Sequence, residues 1–273
     1  MKKLVVHHGA ATNVGRVREV NEDSHLADPP VFVVADGMGG HDGGDIASDI
    51  VVQEFARLAD RSFDPDTGSA AMTAALDAAQ ARISAFTAGQ RARGALDYQS
   101  GTTCVAALLV EGSAQPQWLL LNLGDSRIYR FFDGTLTQMS HDHSLVQELL
   151  DAGRLTPEEA AHHPDRHVIT RALGGLAPAE PDFFHVVLPP EARLLLCSDG
   201  VSGMIDDSDI AEILADSTDA RDTAERLVAA AVDAGGRDNA TAVVVDVVGL
   251  IDENPYDSEQ QRASLEQKLG VLP

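Results

Sequence analysis

The chain has 273 residues, 44% of them hydrophobic, which is enough apolar length for one generous core and excludes a disordered or fibrous design. Its 43 acidic residues outweigh 20 basic ones for a formal charge of −23, a balance that repels nucleic acids and anionic membrane surfaces and excludes both as partners. The apolar run near the N-terminus is too short for a signal-peptide core, and no later run is long enough to span a bilayer, so the expectation is a cytoplasmic monomer.

In chain order, residues 30–35 form the first apolar run with strand character. Helical periodicity follows at Ile46, Ile50, Val51, Phe55 and Leu58, and again at Met72, Ala75, Leu76, Ala79, Ile83 and Phe86. Strands are expected over 103–110, 118–123 and 127–132, and Asp133-Gly134 turns the last of these into the alternating stretch 135–139, an antiparallel hairpin signal. Residues 140–179 are rich in His, Pro and Gly, with a short helical stretch at 144–152, and read as an excursion over the surface. Strands return at 183–188, 193–197 and 241–248, with a helix over 222–233 that Thr218 or Asp219 would cap. The last residues, 251–273, form a polar tail or a docking helix. Helices covering antiparallel sheets is the pattern, so the fold class is α+β. Cys104 and Cys197 sit inside apolar runs and read as small buried hydrophobes rather than a disulfide.

Four aspartates stand at strand ends: Asp36, Asp125 and Asp199 at exits and Asp238 at an entrance. In antiparallel sheets the exit of one strand lies beside the entrance of its neighbour, so all four can share one edge. Carboxylates gathered this closely raise one another's pKa and need a positive partner to stay ionised. Oxygen-only donors suit Mg²⁺ or Mn²⁺, and two such ions bridged by one acid would activate water and clamp a phosphoryl group. An Asp-Gly pair taken alone is more often a plain turn, as at Asp133. Asp36-Gly37 differs because Gly39, Gly40, His41, Gly43 and Gly44 follow it, a backbone that can approach a ligand closely.

The segments TNVGRVR (12–18), NED (21–23), VADGMGGH (34–41), SGTT (100–103), GDSR (124–127), SDG (198–200) and DNAT (238–241) together resemble the metal-dependent Ser/Thr protein phosphatases of the 2C type in their bacterial form. The resemblance covers roughly residues 5 to 248. It implies a four-layer α-β-β-α sandwich, two packed antiparallel sheets with helices on both outer faces, in a catalytic domain over 1–250 with a flap at about 140–180. Asp36 would bridge two ions, Gly37 would offer its carbonyl, Asp199 and Asp238 would complete the first site, and Asp125 with Asp199 would hold a third, weaker ion. Glu22 and Asp23 would orient waters around the ions, and Arg18 would hold the substrate phosphate through its forked guanidinium. Met38 occupies the position that a histidine takes in eukaryotic members, which leaves His41 as the general acid of this chain. Phosphoserine and phosphothreonine proteins would be the substrates, with a cognate Ser/Thr kinase as the opposing partner.

Other classes fit less well. A Ca²⁺-binding reading of the acidic, glycine-rich string at 39–45 lacks the alternating oxygen ligands of an EF-hand. A catalytically dead binding module would not need all four aspartates and Arg18. A cysteine-dependent phosphatase would need an arginine six residues after its nucleophile, where this chain has Val110 and Gly203. A P-loop nucleotide hydrolase would need a lysine, and none occurs between Lys3 and Lys268.

Overall fold

A strand covered on both faces needs apolar residues at nearly every position, and the runs at Val31, Cys104, Trp118 and Leu194 are of this kind. The computed structural model describes residues 2–39, 43–112, 116–175, 179–187, 189, 191–217 and 219–252, and sets these runs at the centres of two antiparallel sheets. One sheet has the order β1 (Lys2–Asn13), β11 (Ala240–Asp252), β10 (Arg193–Cys197), β7 (Arg127–Phe132), β8 (Thr135–Gln138). The other has the order β2 (Asp23–Asp28), β3 (Val31–Met38), β5 (Cys104–Val110), β6 (Gln117–Leu123), β9 (Asp182–Val186), with the short β4 (Gly101–Thr102) also paired to β3.

Side chains alternate between the two faces of a strand, so each central strand serves two cores. Between the sheets, Phe32, Val34, Val105 and Leu120 meet Ile128, Leu194, Leu196 and Val243. On one outer face Val33, Ala106, Leu108 and Leu121 pack under α1 (Gly44–Ala56) and α2 (Pro65–Ala92). On the other, Tyr129, Leu195, Cys197 and Val244 pack under α6 (Asp207–Asp216) and α7 (Ala220–Asp233). Three apolar layers separate four structural layers, which is the α-β-β-α sandwich that the resemblance implies.

Local chemistry fixes the helix starts. Asp64 accepts from the Thr67 amide in a capping box, with Pro65 in the first turn of α2. Asp219 accepts from the amides of Arg221 and Asp222 and opens α7. Asp133 and Gly134 both take positive φ, 49° and 71°, as the tight turn between β7 and β8 demands.

The structure adds elements that the sequence pattern hides. β1 is an edge strand with its hydrogen-bonded partner on one side, and its polar mix of His, Gly and Thr carries no clean alternation. β2 is likewise an edge and only partly covered. The α6 helix is short, with only Ile210 and Leu214 fully buried. β3 runs on past Asp36, because Gly37 and Met38 pair with Thr102 and Gly101. The excursion after Ser140 carries α3 (Leu145–Asp151) and α4 (Pro157–Ala161), joined to the rest by isolated bridges at Ser144–Ile169 and Thr102–Leu173. His41 and the tail at 253–273 lie outside the described residues. Among the described residues no helix is long and apolar enough to cross a membrane.

Leu120 is fully enclosed in the layer between the sheets. Leu120→Ala should therefore destabilise the chain by about 2–5 kcal/mol in a urea titration, whereas the exposed Leu96→Ala should change stability by less than about 0.5 kcal/mol.

Candidate active site

The strand order explains why acids distant in sequence meet. β3 and β6 both run antiparallel to β5, so their C-terminal ends emerge together, carrying Asp36 and Asp125. β10 and β11 are antiparallel neighbours, so the exit bearing Asp199 lies beside the entrance bearing Asp238. Gly124, Asp125 and Ser126 carry the chain across from one sheet to the other. Asp199 then opens the short α5 (Asp199–Ser202). The result is a basin of about 570 Å³ at one end of the sandwich, lined by Arg18, Glu22, Asp36, Gly37, Asp125, Asp199 and Asp238 among others. Asp23 lies beneath, buried and directly opposite Asp36 in the β2–β3 register. Every described residue of the predicted site is thus brought to one place. His41 lies outside the described residues.

Gly37 could not be replaced here, because a Cβ would sit 2.2 Å from the Gly44 carbonyl oxygen and 2.5 Å from that of Glu22. The Glu22 loop is held by Asn239, whose Oδ1 accepts from the Glu22 amide at 2.8 Å while its Nδ2 donates to the carbonyls of Val14 and Val20. Ser198 donates to Asp23 at 2.8 Å and accepts from the Thr241 amide, clamping β2 to the β10–β11 edge. Thr103 binds the Asp36 amide at 3.0 Å and the Ser126 hydroxyl at 2.8 Å, so one hydroxyl joins the loops of two acids.

Negative charge dominates the basin. Burial raises the Asp23 carboxyl to about 7, opposed by hydrogen bonds from Thr241 and Ser198 and assisted by the charge of Asp199. Burial raises Asp125 to about 7 as well, with Asp199 and Asp142 adding to the push. Asp36 keeps some exposure toward the basin, yet protein crowds its carboxylate. Burial, then Asp23, Asp199 and Asp125, drive it well above the usual range. Asp199 is raised by burial and Asp238, with relief from a hydrogen bond shared with Asp36. Burial also raises Glu22. Against this, Arg18 donates to Asp238 at 2.7 Å, and His167 approaches Asp199 only to 4.0 Å.

These residues fit divalent cations. The donors are all oxygens, and Oδ1 of Asp23 and Oδ1 of Asp125 are buried with no hydrogen-bond partner, which is costly unless positive charge is supplied. Among the described residues no three acid, histidine or cysteine side chains already form a closed ligand set. An ion would have to draw the carboxylates inward.

The basin also contains residues that sequence reasoning did not flag: Arg166 and His167 from the excursion, and Met204 and Arg237 beside Gly203 and Asp238. Asn239 was visible within its motif, but its role as a three-way clasp was not. Arg166 and Arg237 belong to no local pattern, and only the tertiary fold brings them to the acids.

A family profile for protein phosphatase 2C matches residues 16–234. The chain belongs to this family. It is 40% identical over 246 residues to the serine/threonine protein phosphatase PstP of Mycobacterium tuberculosis, covering 90% of this chain and 46% of that protein, so it spans about half the length of that relative. It is 35% identical over 251 residues to the serine/threonine phosphatase stp of Listeria monocytogenes, covering 88% of this chain and 96% of that one. The crystal structure of M. tuberculosis PstP/Ppp superposes with a TM-score of 0.81 at 38% identity, over 90% of this chain and 100% of that one. The PstP catalytic domain in complex with two manganese ions gives 0.78 at 38% identity with the same coverage.

The raised carboxyls make the metal-free 2C-family fold pH-sensitive. A carboxyl whose folded pKa exceeds its unfolded value, near 4, holds its proton more tightly when folded. Its stabilising contribution is complete below about pH 4 and is lost as the pH rises through about 7 for Asp23 and Asp125. In chelator, stability should therefore fall from pH 4 to pH 8. Asp125→Asn should recover on the order of 1–3 kcal/mol at pH 8 and little at pH 4, read from urea unfolding at both pH values.

Proposed function

We propose that this chain is a metal-dependent protein-serine/threonine phosphatase that hydrolyses phosphoserine and phosphothreonine monoesters and reverses the work of a bacterial Ser/Thr kinase. The observation that carries the reading is the gathering of Asp36, Asp125, Asp199 and Asp238 in one open basin, where Arg18 pairs with Asp238 alone. Family membership and the manganese ions in the PstP catalytic domain support it.

Asp36, the Gly37 carbonyl, Asp199 and Asp238 would hold two Mn²⁺ or Mg²⁺ ions, and Asp125 with Asp199 a third. Bound there, divalent cations supply an activated water as nucleophile and neutralise the phosphoryl oxygens. The chain's own residues do the rest. Arg18, half-exposed at the basin wall, turns its guanidinium from Asp238 to two oxygens of the substrate phosphate. Glu22 lines the basin and accepts hydrogen bonds from its waters, while Asp23 below holds Ser198 and with it the β10 exit that presents Asp199. His41, three residues beyond Met38, protonates the departing serine or threonine oxygen.

Replacement of Asp36, Asp199 or Asp238 by Asn should lower Mn²⁺-dependent release of phosphate from a phosphothreonine peptide on the order of a thousandfold, and chelator should abolish it. Full activity in chelator would refute the reading. Arg18→Ala should act mainly on KM, raising it about tenfold.

The leaving group isolates His41. Nitrophenolate departs without a proton and a serine alkoxide does not, so His41→Ala should lose about a hundredfold on a phosphoserine peptide and far less on p-nitrophenyl phosphate. Equal losses on both would assign His41 to loop support instead.

A further inference from the structure

The excursion after Ser140 divides two cavities of opposite character. On one side is the acid-lined basin. On the other is a groove of about 600 Å³ that shares Met38, Gly39 and Ile169 with the basin and therefore adjoins it. Among the described residues no Asp or Glu lines this groove, although the chain carries 43 of them. Two arginines do, Arg91 from the last turn of α2 and Arg171 from the excursion.

Neither guanidinium is fully engaged. Among the described residues Arg91 donates one side-chain hydrogen bond, from Nε to the Tyr98 carbonyl at 2.9 Å, and its terminal nitrogens have no partner there. Arg171 forms one ion pair, with Asp182 at 3.4 Å, and lies 3.4 Å from His143 Nε2. Thr87 adds a buried Oγ1 that has no hydrogen-bond partner among the described residues, on the same wall. In a protein of net charge −23, a groove that two arginines and, among the described residues, no acid line, and that adjoins the reaction basin, has the complementarity of an anion site.

We propose that this groove receives a second anionic side chain of the substrate, phosphoryl or carboxylate, on the same segment as the residue being dephosphorylated. The inference rests on the phosphatase reading and adds a substrate class to it: segments that carry a further negative charge near the scissile phosphate. A guanidinium fork pairs with two oxygens of either group, and the net negative charge of the protein disfavours such a segment where no arginine meets it.

The test uses the full chain with Mn²⁺ and four kinds of peptide: one phosphothreonine with neutral flanks, the same with glutamates, the same with a second phosphothreonine, and the last with lysines in place of the second charge. The added group is placed about two to five residues to either side, the span an extended chain covers between neighbouring cavities. The readout is the ratio of kcat/KM for each charged peptide to that for the neutral one, with p-nitrophenyl phosphate as a reference that does not reach the groove. The doubly charged peptides should be favoured about tenfold, and Arg91→Glu or Arg171→Glu should bring the ratio to about one. Because Arg171 also touches His143, Arg91→Glu decides the matter if Arg171→Glu fails to fold. A preference for glutamate as well as phosphate marks a general anion site; a preference for phosphate alone marks the tighter fork geometry; both support the groove. No preference in the unaltered chain, or a ratio that survives Arg91→Glu, overturns it. Fluorescence anisotropy of the same peptides in chelator keeps the two readings apart: charge-dependent binding that Arg91→Glu abolishes, together with no phosphate release from any peptide once Mn²⁺ is restored, would sink the phosphatase reading and leave the groove standing.

Discussion

Everything at the working end of this protein depends on mutual repulsion among carboxylates that the fold will not let separate. Asp36 and Asp23 face each other across a strand pair, Asp199 and Asp238 lie on adjacent strand ends, and Asp125 sits on the loop that crosses between sheets. Water would screen such charges if they were free to move apart. Here burial removes much of that screening, and the carboxyls respond by holding protons toward neutral pH. The arrangement is electrostatically incomplete by itself, and a divalent cation is the species whose charge and oxygen preference complete it.

What holds the acids in place is far from them. Register in each sheet is fixed because every central strand presents one apolar set to a helix layer and the other to the opposite sheet. A slip of one residue would exchange Val33 and Val34, or Leu195 and Leu196, between cores of different shape. Since Asp36 lies within β3 and Asp199 stands two residues past the end of β10, the positions of the carboxylates are set by packing rather than by their own interactions. Short polar clasps then make the final adjustment: Ser198 to Asp23, Thr103 to the Asp36 amide, Asn239 to the Glu22 amide. This division explains how a fold can tolerate like charges a few ångströms apart. The cost is borne by three large apolar layers.

The same division accounts for what the sequence disclosed. The central strands and the helices α1, α2 and α7 were legible because both their faces, or one broad stripe, are apolar, and the chain has no other use for such runs. The four strand-end aspartates were legible because they interrupt those runs. The edge strands β1 and β2 were not, since an edge strand needs less apolar cover and β1 mixes His, Gly and Thr. Asp36 read as lying past the end of its strand, whereas Gly37 and Met38 extend β3 through pairing with β4, a contact between residues more than sixty positions apart. Arg166, His167 and Arg237 were invisible for a related reason: they sit in irregular segments whose direction only the tertiary fold decides.

The excursion is tied to the site more rigidly than its irregular sequence suggests. His143, almost fully buried, donates its backbone N–H to the Gly124 carbonyl at 2.9 Å and accepts from the Gly124 amide at Nδ1 at 3.2 Å. Burial lowers its pKa and keeps the imidazole neutral, the state in which Nδ1 can accept while Nε2 donates to Asp182 at 3.2 Å. Its carbonyl takes the Thr170 amide, and Leu173 bridges to Thr102, so both roots of the excursion are pinned beside the loops that carry Asp125 and Asp36. The helices α3 and α4 lie between these roots, with few ties of their own. Sequence change within α3 and α4 can therefore reshape the surface of the excursion without disturbing the acids, while change at His143 acts directly on the Gly124–Asp125 turn and change at Thr170 acts on it through His143. The segment's position is conferred by its two ends, and its surface is left free to specify.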